Sequence, residues 1–365
     1  MKKILFSIGD GIYPYRVGGM EVFNYYLIKN LRNRFCIYYA ASKKFDFDNV
    51  RILKTSSKIK PIKITSPLQL FFILLCHPSI KCAVFSYSAS HWIIWKLYTL
   101  ICQLLRTRYV VVIHHGKEPP TEKQKAYFNF FHHAKKVIAV SPDIKKNFDR
   151  QFQLNCNVIY PLVPFEESAS SKQELRQQYG IPQDAKVICM VGTIKQMKNP
   201  DTVIKAISLM NDSELSAYDP YVVFAGSGPM LETLKQMAQE LGIARRVKFL
   251  GFVSKEKINE IMKLSDAYLI SSDFEGTSVS LLEAMFNKMA IIASRAPGII
   301  DTILDGSECL MFETKNQQEL KNCIIETFSN SEAAKQRAKK AFEHYGNRFS
   351  YPDILNKYST ILTDL

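Results

Sequence analysis

Acidic residues are scarce in the first half of this chain. Residues 1–165 hold 8 Asp and Glu against 25 Lys and Arg, a net of +17, whereas residues 166–365 hold 26 against 23, a net of −3. Such asymmetry points to a polyanionic surface or partner for the N-terminal half, whether membrane, lipid phosphate or nucleic acid. Glycine and proline are also sparse, at 15 each in 365 residues, which excludes collagen-like and low-complexity architectures. The eight cysteines, Cys36, Cys76, Cys82, Cys102, Cys156, Cys189, Cys309 and Cys323, contain no CxxC pair. No histidine stands at metal-ligand spacing from them, so they read as buried free thiols of a reducing compartment. Long apolar runs are missing too: residues 68–76 and 91–105 are short or interrupted against the ~18 residues of a spanning helix. The opening MKKILFSIGDG is too short in apolar residues for the ~7–15 residue core of a signal peptide, and reads as a first buried strand. These absences predict a cytoplasmic protein.

What is present is an alternation. Short runs rich in Val, Ile, Phe and Tyr alternate with longer helical patterns, the signature of parallel α/β layers. Strands are predicted near 3–8, 36–40, 83–87, 109–114 and 137–140, then near 187–191, 221–225, 247–250, 267–270 and 290–293. The length suits two domains. Pro161-Leu-Val-Pro164, followed by the Ser/Glu-rich stretch 166–171, suits a linker and puts the boundary near residue 166. Helical patterns at 333–345 and 351–362 close the chain with no strand after them. The reading is therefore α/β, with two doubly wound sheets and function at the strand-to-helix loops.

The strongest chemical signal is Ser272-Asp-Phe-Glu275-Gly-Thr-Ser-Val-Ser-Leu-Leu-Glu283-Ala284, directly after a buried strand. A helix starting at about Gly276, Thr277 or Ser278 offers backbone N–H groups and a positive dipole end to a phosphate. Eight positions are close to a helical multiple, so Glu283 should lie about two turns down, on the side of Glu275. One carboxylate can hold a sugar ring's hydroxyls and the other a ribose. The plainer alternative is an ordinary capped helix with Glu283 paired to a neighbouring lysine. Further candidates follow other strands: Gly18 and Gly19 before the first helix, Lys195 and Lys198 after Val191, Gly226 and Gly228 after Ala225, Phe252 and Val253 after Gly251, and His114 and His115 after Ile113. Asp46-Phe-Asp48 is an Asp-x-Asp, a metal-binding pattern in some sugar transferases. It reads as a solvated loop beside Lys43 and Lys44.

Glu275-x7-Glu283 resembles the motif of the retaining GT-B glycosyltransferases of family 4, and the likeness extends over nearly the whole chain. It implies a GT-B fold, two Rossmann-like domains facing across a cleft. The acceptor domain is then 1–165 and the donor domain 166–346, with the C-terminal helix 347–365 returning to the first. By the resemblance Glu275, His115 and Lys198 are catalytic, His115 fitting its pattern better than His114. Gly18, Gly19, Gly226, Phe252, Val253, Gly276, Thr277, Ser278 and Glu283 bind the donor. The family's arginine is replaced by Thr193, and Lys195 is a possible substitute. The implied donor is a nucleoside diphosphate hexose, UDP before GDP, with no cofactor and no metal. The departing diphosphate takes the acceptor's proton on the same face of the ring, so the anomeric configuration is kept. The acceptor is a glycan or lipid-linked glycan, in cell-surface polysaccharide synthesis, with no nucleic acid partner. Alternatives are a sugar-nucleotide epimerase of the same fold and a non-enzymatic polyanion-binding protein.

Membrane contact is the remaining expectation. Arg51, Lys54, Lys58, Lys60 and Lys63 precede the apolar stretch 68–75, and His91-Trp-Ile-Ile-Trp95 opens a second apolar helix ending near Arg106 and Arg108. Basic residues beside apolar helices suit the interface of an anionic bilayer, here the inner face of the cell membrane.

Overall fold

The structure, a computed structural model, describes residues 2–7, 19–41, 59–63, 67–87, 92–114, 130–162 and 168–365. Two compact units emerge, Met1–Pro164 with Tyr351–Leu365, and Phe165–Ser350.

The first unit is built around β1 (Lys2–Ser7), α1 (Gly19–Leu31), β2 (Phe35–Ala41), β3 (Ile59–Lys63), α2 (Pro67–Cys76), β4 (Ile80–Tyr87), α3 (Trp92–Leu104), β5 (Arg108–Ile113), β6 (Lys136–Ala139), α4 (Pro142–Phe152) and β7 (Asn157–Val158). Its strands form one parallel sheet in the order β3-β2-β1-β4-β5-β6-β7. Helices cover both faces of such a sheet, so its strands read as unbroken apolar runs. In β5 every residue after Arg108 is buried. Local chemistry sets the helix starts: Ser141 accepts from the amide of Ile144 at 3.2 Å, and Pro142 fills the first turn of α4.

The second unit contains α5 (Lys172–Gln178), β8 (Lys186–Val191), α6 (Pro200–Ser208), α7 (Asp212–Tyr218), β9 (Pro220–Ala225), α8 (Leu231–Glu240), β10 (Val247–Phe249), α9 (Lys255–Leu264), β11 (Ala267–Ile270), α10 (Val279–Phe286), β12 (Ala290–Ser294), β13 (Leu310–Phe312), α11 (Gln317–Ser329) and α12 (Ser331–Arg348). Its parallel sheet has the order β10-β9-β8-β11-β12-β13. Ile188, Val222, Phe224, Leu269 and Ile292 of the strands pack with Val203, Ile207, Leu234 and Leu320 of the helices. Capping boxes at Ser171–Glu174 and Asn211–Glu214 fix the starts of α5 and α7. Asp266 ties α5 to the sheet, accepting from Arg176 Nη2 at 2.8 Å and from the amide of Val187 at 2.7 Å.

The last helix, α13 (Tyr351–Thr363), belongs to the first unit. Tyr358 packs its ring 5.5 Å from that of Phe23 on α1. Arg34 donates to Ser359 Oγ at 2.7 Å and Lys2 to the carbonyl of Thr363 at 3.1 Å.

Each sheet is wound from its middle. β1 has β2 on one side and β4 on the other, and β8 lies between β9 and β11. In open α/β sheets a ligand binds outside the carboxyl ends of the strands where the winding reverses. In the second unit that point is bounded by the loops after β8 and β11, and these carry Lys198 and Glu275.

Candidate active site in the second unit

The two loops are stitched together by small polar side chains. After β8 the chain passes through a single 3₁₀ turn, Gln196–Lys198, and Asn199 follows in the left-handed region at φ 43°. Ser271, the first residue past β11, donates its hydroxyl to the carbonyls of Lys198 at 2.7 Å and Asn199 at 3.1 Å. Asn199 Nδ2 donates in return to the carbonyl of Ser271 at 3.1 Å and to Asp273 Oδ1 at 2.7 Å. The amide of Asp273 meets the carbonyl of Met197 at 2.9 Å. These bonds set Lys198 opposite Glu275, and the two form an ion pair with side chains 18% and 11% exposed. Ser272 Oγ donates to the same carboxylate oxygen at 2.6 Å.

The loop after β12 is the third wall. The amide of Glu275 donates to the carbonyl of Pro297 at 3.0 Å. Gly298 has φ +80°, and a Cβ there would stand 1.9 Å from the carbonyl oxygen of Glu275. Only glycine permits that approach. Below Glu275, Ser278 caps α10 by accepting from the amide of Leu281 at 3.4 Å. Gly276 and Thr277 thus lie directly before the helix opening, where its dipole is positive. Ser280, in the first turn, bonds the hydroxyl of Tyr268 at 2.8 Å and the carbonyl of Val191 at 3.3 Å, holding the helix against β11 and β8.

The two glutamates sit in different surroundings. Glu283 is only 2% exposed and forms a buried ion pair with Lys255, the first residue of α9. The plainer reading of this carboxylate, a lysine partner, is therefore the arrangement found. Lys255 stands 28 positions away in sequence and has no local pattern that marks it. It does follow Gly251-Phe252-Val253-Ser254 directly, so the buried pair anchors the segment that carries Phe252 and Val253.

The glycine loops serve backbone approach. A Cβ on Gly226 would lie 1.8 Å from the carbonyl oxygen of Gly192, and one on Gly228 would lie 2.1 Å from that of Ile194. These contacts let the loop after β9 rest on the loop after β8, where the amide of Ile194 donates to the carbonyl of Ser227 at 3.0 Å. Gly251 bridges to Gly226. Beyond it Phe252 is 62% exposed, while Val253 is half-buried. Thr193 is exposed, and Lys195 is half-buried with no hydrogen bond or ion pair from its side chain among the described residues.

In the first unit His114 follows β5 directly, with its ring 4.9 Å from that of Phe23. Its Nε2 has no hydrogen-bond partner among the described residues. Burial pushes its pKa down to about 3, against about 6.5 for a free imidazole. Between those values the unfolded chain binds a proton that the folded unit does not, so stability is lost as pH falls there, by at most ~1.4 kcal/mol per pH unit. The urea midpoint of the first unit is expected to drop as pH falls from 6.5 toward 4, and His114→Leu to flatten that slope; equal slopes would contradict the assignment. Gly19 opens α1. His115, Gly18, Asp46 and Asp48 lie outside the described residues, as do Arg51, Lys54, Lys58 and His91.

The second unit thus brings together a lysine, a carboxylate, small hydroxyls and a helix N-terminus where the winding of its sheet reverses. Residues 171–344 match the family described as glycosyl transferases group 1, which is nearly all of this unit. The chain is 26% identical over 192 residues to N-acetyl-alpha-D-glucosaminyl L-malate synthase of Bacillus anthracis, covering 53% of this chain and 49% of that protein. With D-inositol 3-phosphate glycosyltransferase of Corynebacterium glutamicum it shares 24% over 192 residues, 52% of this chain and 46% of that protein. The matches span about half the length of these relatives. Among solved structures, Anabaena Alr3699/HepE in complex with UDP-glucose superposes with a TM-score of 0.82 at 20% identity, covering 100% of both chains. The whole chain accordingly has the GT-B fold of two Rossmann-like α/β units.

Proposed function

We propose that this protein is a group 1 glycosyltransferase that moves a hexose, with retention of configuration, from a UDP-sugar to a hydroxyl of a glycan or lipid-linked glycan. It works in the cytoplasm, at the inner face of the cell membrane, in making cell-surface polysaccharide. The observation that carries the reading is the Lys198–Glu275 pair above the opening of α10, at the switch point of a sheet matched to this family. A structural relative bound to UDP-glucose supports the choice of donor.

The pair exchanges partners when donor binds. Lys198 Nζ turns to the diphosphate, whose charge grows as the glycosidic bond breaks, and the helix amides share that load. Lys195, having no other partner among the described residues, supplies the second cation that Thr193 does not. Glu275 accepts from hydroxyls of the transferred sugar and fixes its orientation. Glu283, its carboxylate fixed by Lys255, is assigned to the ribose, and Phe252 and Val253 to the base. The departing diphosphate oxygen takes the acceptor's proton, so no side chain need act as base.

In this reading cationic side chains and amides do what a divalent ion does elsewhere. The test is release of free nucleoside diphosphate from a panel of UDP- and GDP-sugars with a glycan acceptor, with and without EDTA. Turnover with a UDP-sugar, unchanged by EDTA, is expected. Loss with EDTA restored by magnesium or manganese would contradict it and bring Asp46 and Asp48 into the site. Conversion of the donor sugar with no transfer would identify an epimerase.

A further inference from the structure

We propose that α2 and α3 form a docking face for an anionic lipid bilayer. α2 carries Leu68, Phe72 and Leu75 at intervals of four and three, and α3 carries Leu97, Leu100 and Leu104 at three and four, so each set forms one stripe along its helix. These side chains are 63%, 53%, 53%, 41%, 48% and 71% exposed, in that order, whereas Leu70 and Leu74 of α2 and Thr99 and Cys102 of α3 are buried. The helices pack against each other, and α3 packs on β5. A single exposed leucine is ordinary; six large apolar side chains on two neighbouring helices mark an interaction surface.

Charge selects the partner. Residues 49–117, which contain both helices, include ten Lys and Arg and no Asp or Glu. Lys81, at the start of β4, and Arg106, just past α3, are exposed. A second copy docking through this face would bring the same positive field against itself. A bilayer with anionic headgroups offers an apolar layer for the leucines and negative charge for the lysines and arginines at one surface. Helices of 10 and 13 residues are ~15 and ~20 Å long, against a hydrocarbon core of ~30 Å. No described helix is long and apolar enough to cross a membrane. The face therefore lies in the plane of the interface.

This inference deepens the proposed function by giving the membrane contact its residues, and the readout that decides it is flotation. The full-length protein is floated with vesicles of phosphatidylcholine alone and with about one third phosphatidylglycerol, at low and high salt. Flotation only with the anionic vesicles, weakened at least tenfold by high salt, is expected. Phe72→Gln with Leu104→Gln is expected to lose flotation tenfold or more, while circular dichroism and nucleoside diphosphate release with a water-soluble acceptor stay unchanged. Absence of flotation at low salt, indifference to lipid charge, or equal flotation of the variant would overturn the proposal. So would a wild-type dimer that the same variant dissociates, because a second copy would then cover the face.

Discussion

Glu275→Ala is expected to lower transfer at least a hundredfold and leave the fold intact. The carboxylate is 11% exposed and its side-chain partners are Lys198 and Ser272 Oγ, so its loss removes polar contacts of the loop and leaves the apolar core untouched. Misorientation of the sugar is felt in the chemical step, so kcat should fall more than KM rises. A factor of ~10² to 10³ is typical for one preorganised polar group at a reacting centre. Glu275→Gln separates charge from shape, because the amide oxygen can still accept from Ser272 Oγ. Transfer by Glu275→Ala near the wild-type rate, measured with saturating donor, would remove this residue from the site.

Lys198→Ala has the second large effect, of another kind. In the proposed site its ammonium turns to a diphosphate whose charge is present in the bound donor and larger in the transition state, so KM should rise and kcat fall together. A loss in kcat/KM of ~10³ is expected, of the order found when a charged group loses its partner in a water-poor site. Lys195→Ala should cost about tenfold, because a half-exposed lysine is screened. If Lys195→Ala is the more damaging of the two, the diphosphate lies further along the loop than Lys198.

The loops of the second unit were legible because their chemistry is local. Lys198 and Glu275 each follow a strand whose apolar run marks its end, and both loops reach the same edge because their strands are neighbours. The start of α10 was legible to within Gly276–Ser278, and the structure makes Ser278 its cap. Most strands of both sheets were visible as apolar runs. Three were not, and each has a reason. β3 is Ile59-Lys-Pro-Ile-Lys63, an edge strand whose proline and lysines disguise it. β7 and β13 have 2 and 3 residues, too few for a period.

What sequence could not supply was pairing at a distance. The Lys255–Glu283 pair and the Arg176–Asp266 pair join residues far apart in the chain, and nothing local in either partner announces the other. Gly298 had a signal in the Pro297-Gly298 turn, but that dipeptide says only that the chain bends. That the bend presses on the backbone of Glu275 required the fold. The basic excess of the first 165 residues was plain in composition, whereas the exposure of Leu68, Phe72 and Leu104 was not: apolar helices on a sheet are ordinarily covered.

The measurement closest to the central claim is equilibrium binding, by calorimetry in EDTA, of the donor found in the release screen and of its nucleoside diphosphate alone. If Lys198 holds the diphosphate and Glu275 the sugar, Lys198→Ala weakens both ligands at least tenfold. Glu275→Ala weakens the sugar nucleotide but leaves the nucleoside diphosphate unchanged or tighter, because Lys198 has lost its internal competitor. Undiminished nucleoside diphosphate binding by Lys198→Ala, or equal weakening of both ligands by Glu275→Ala, would contradict the account.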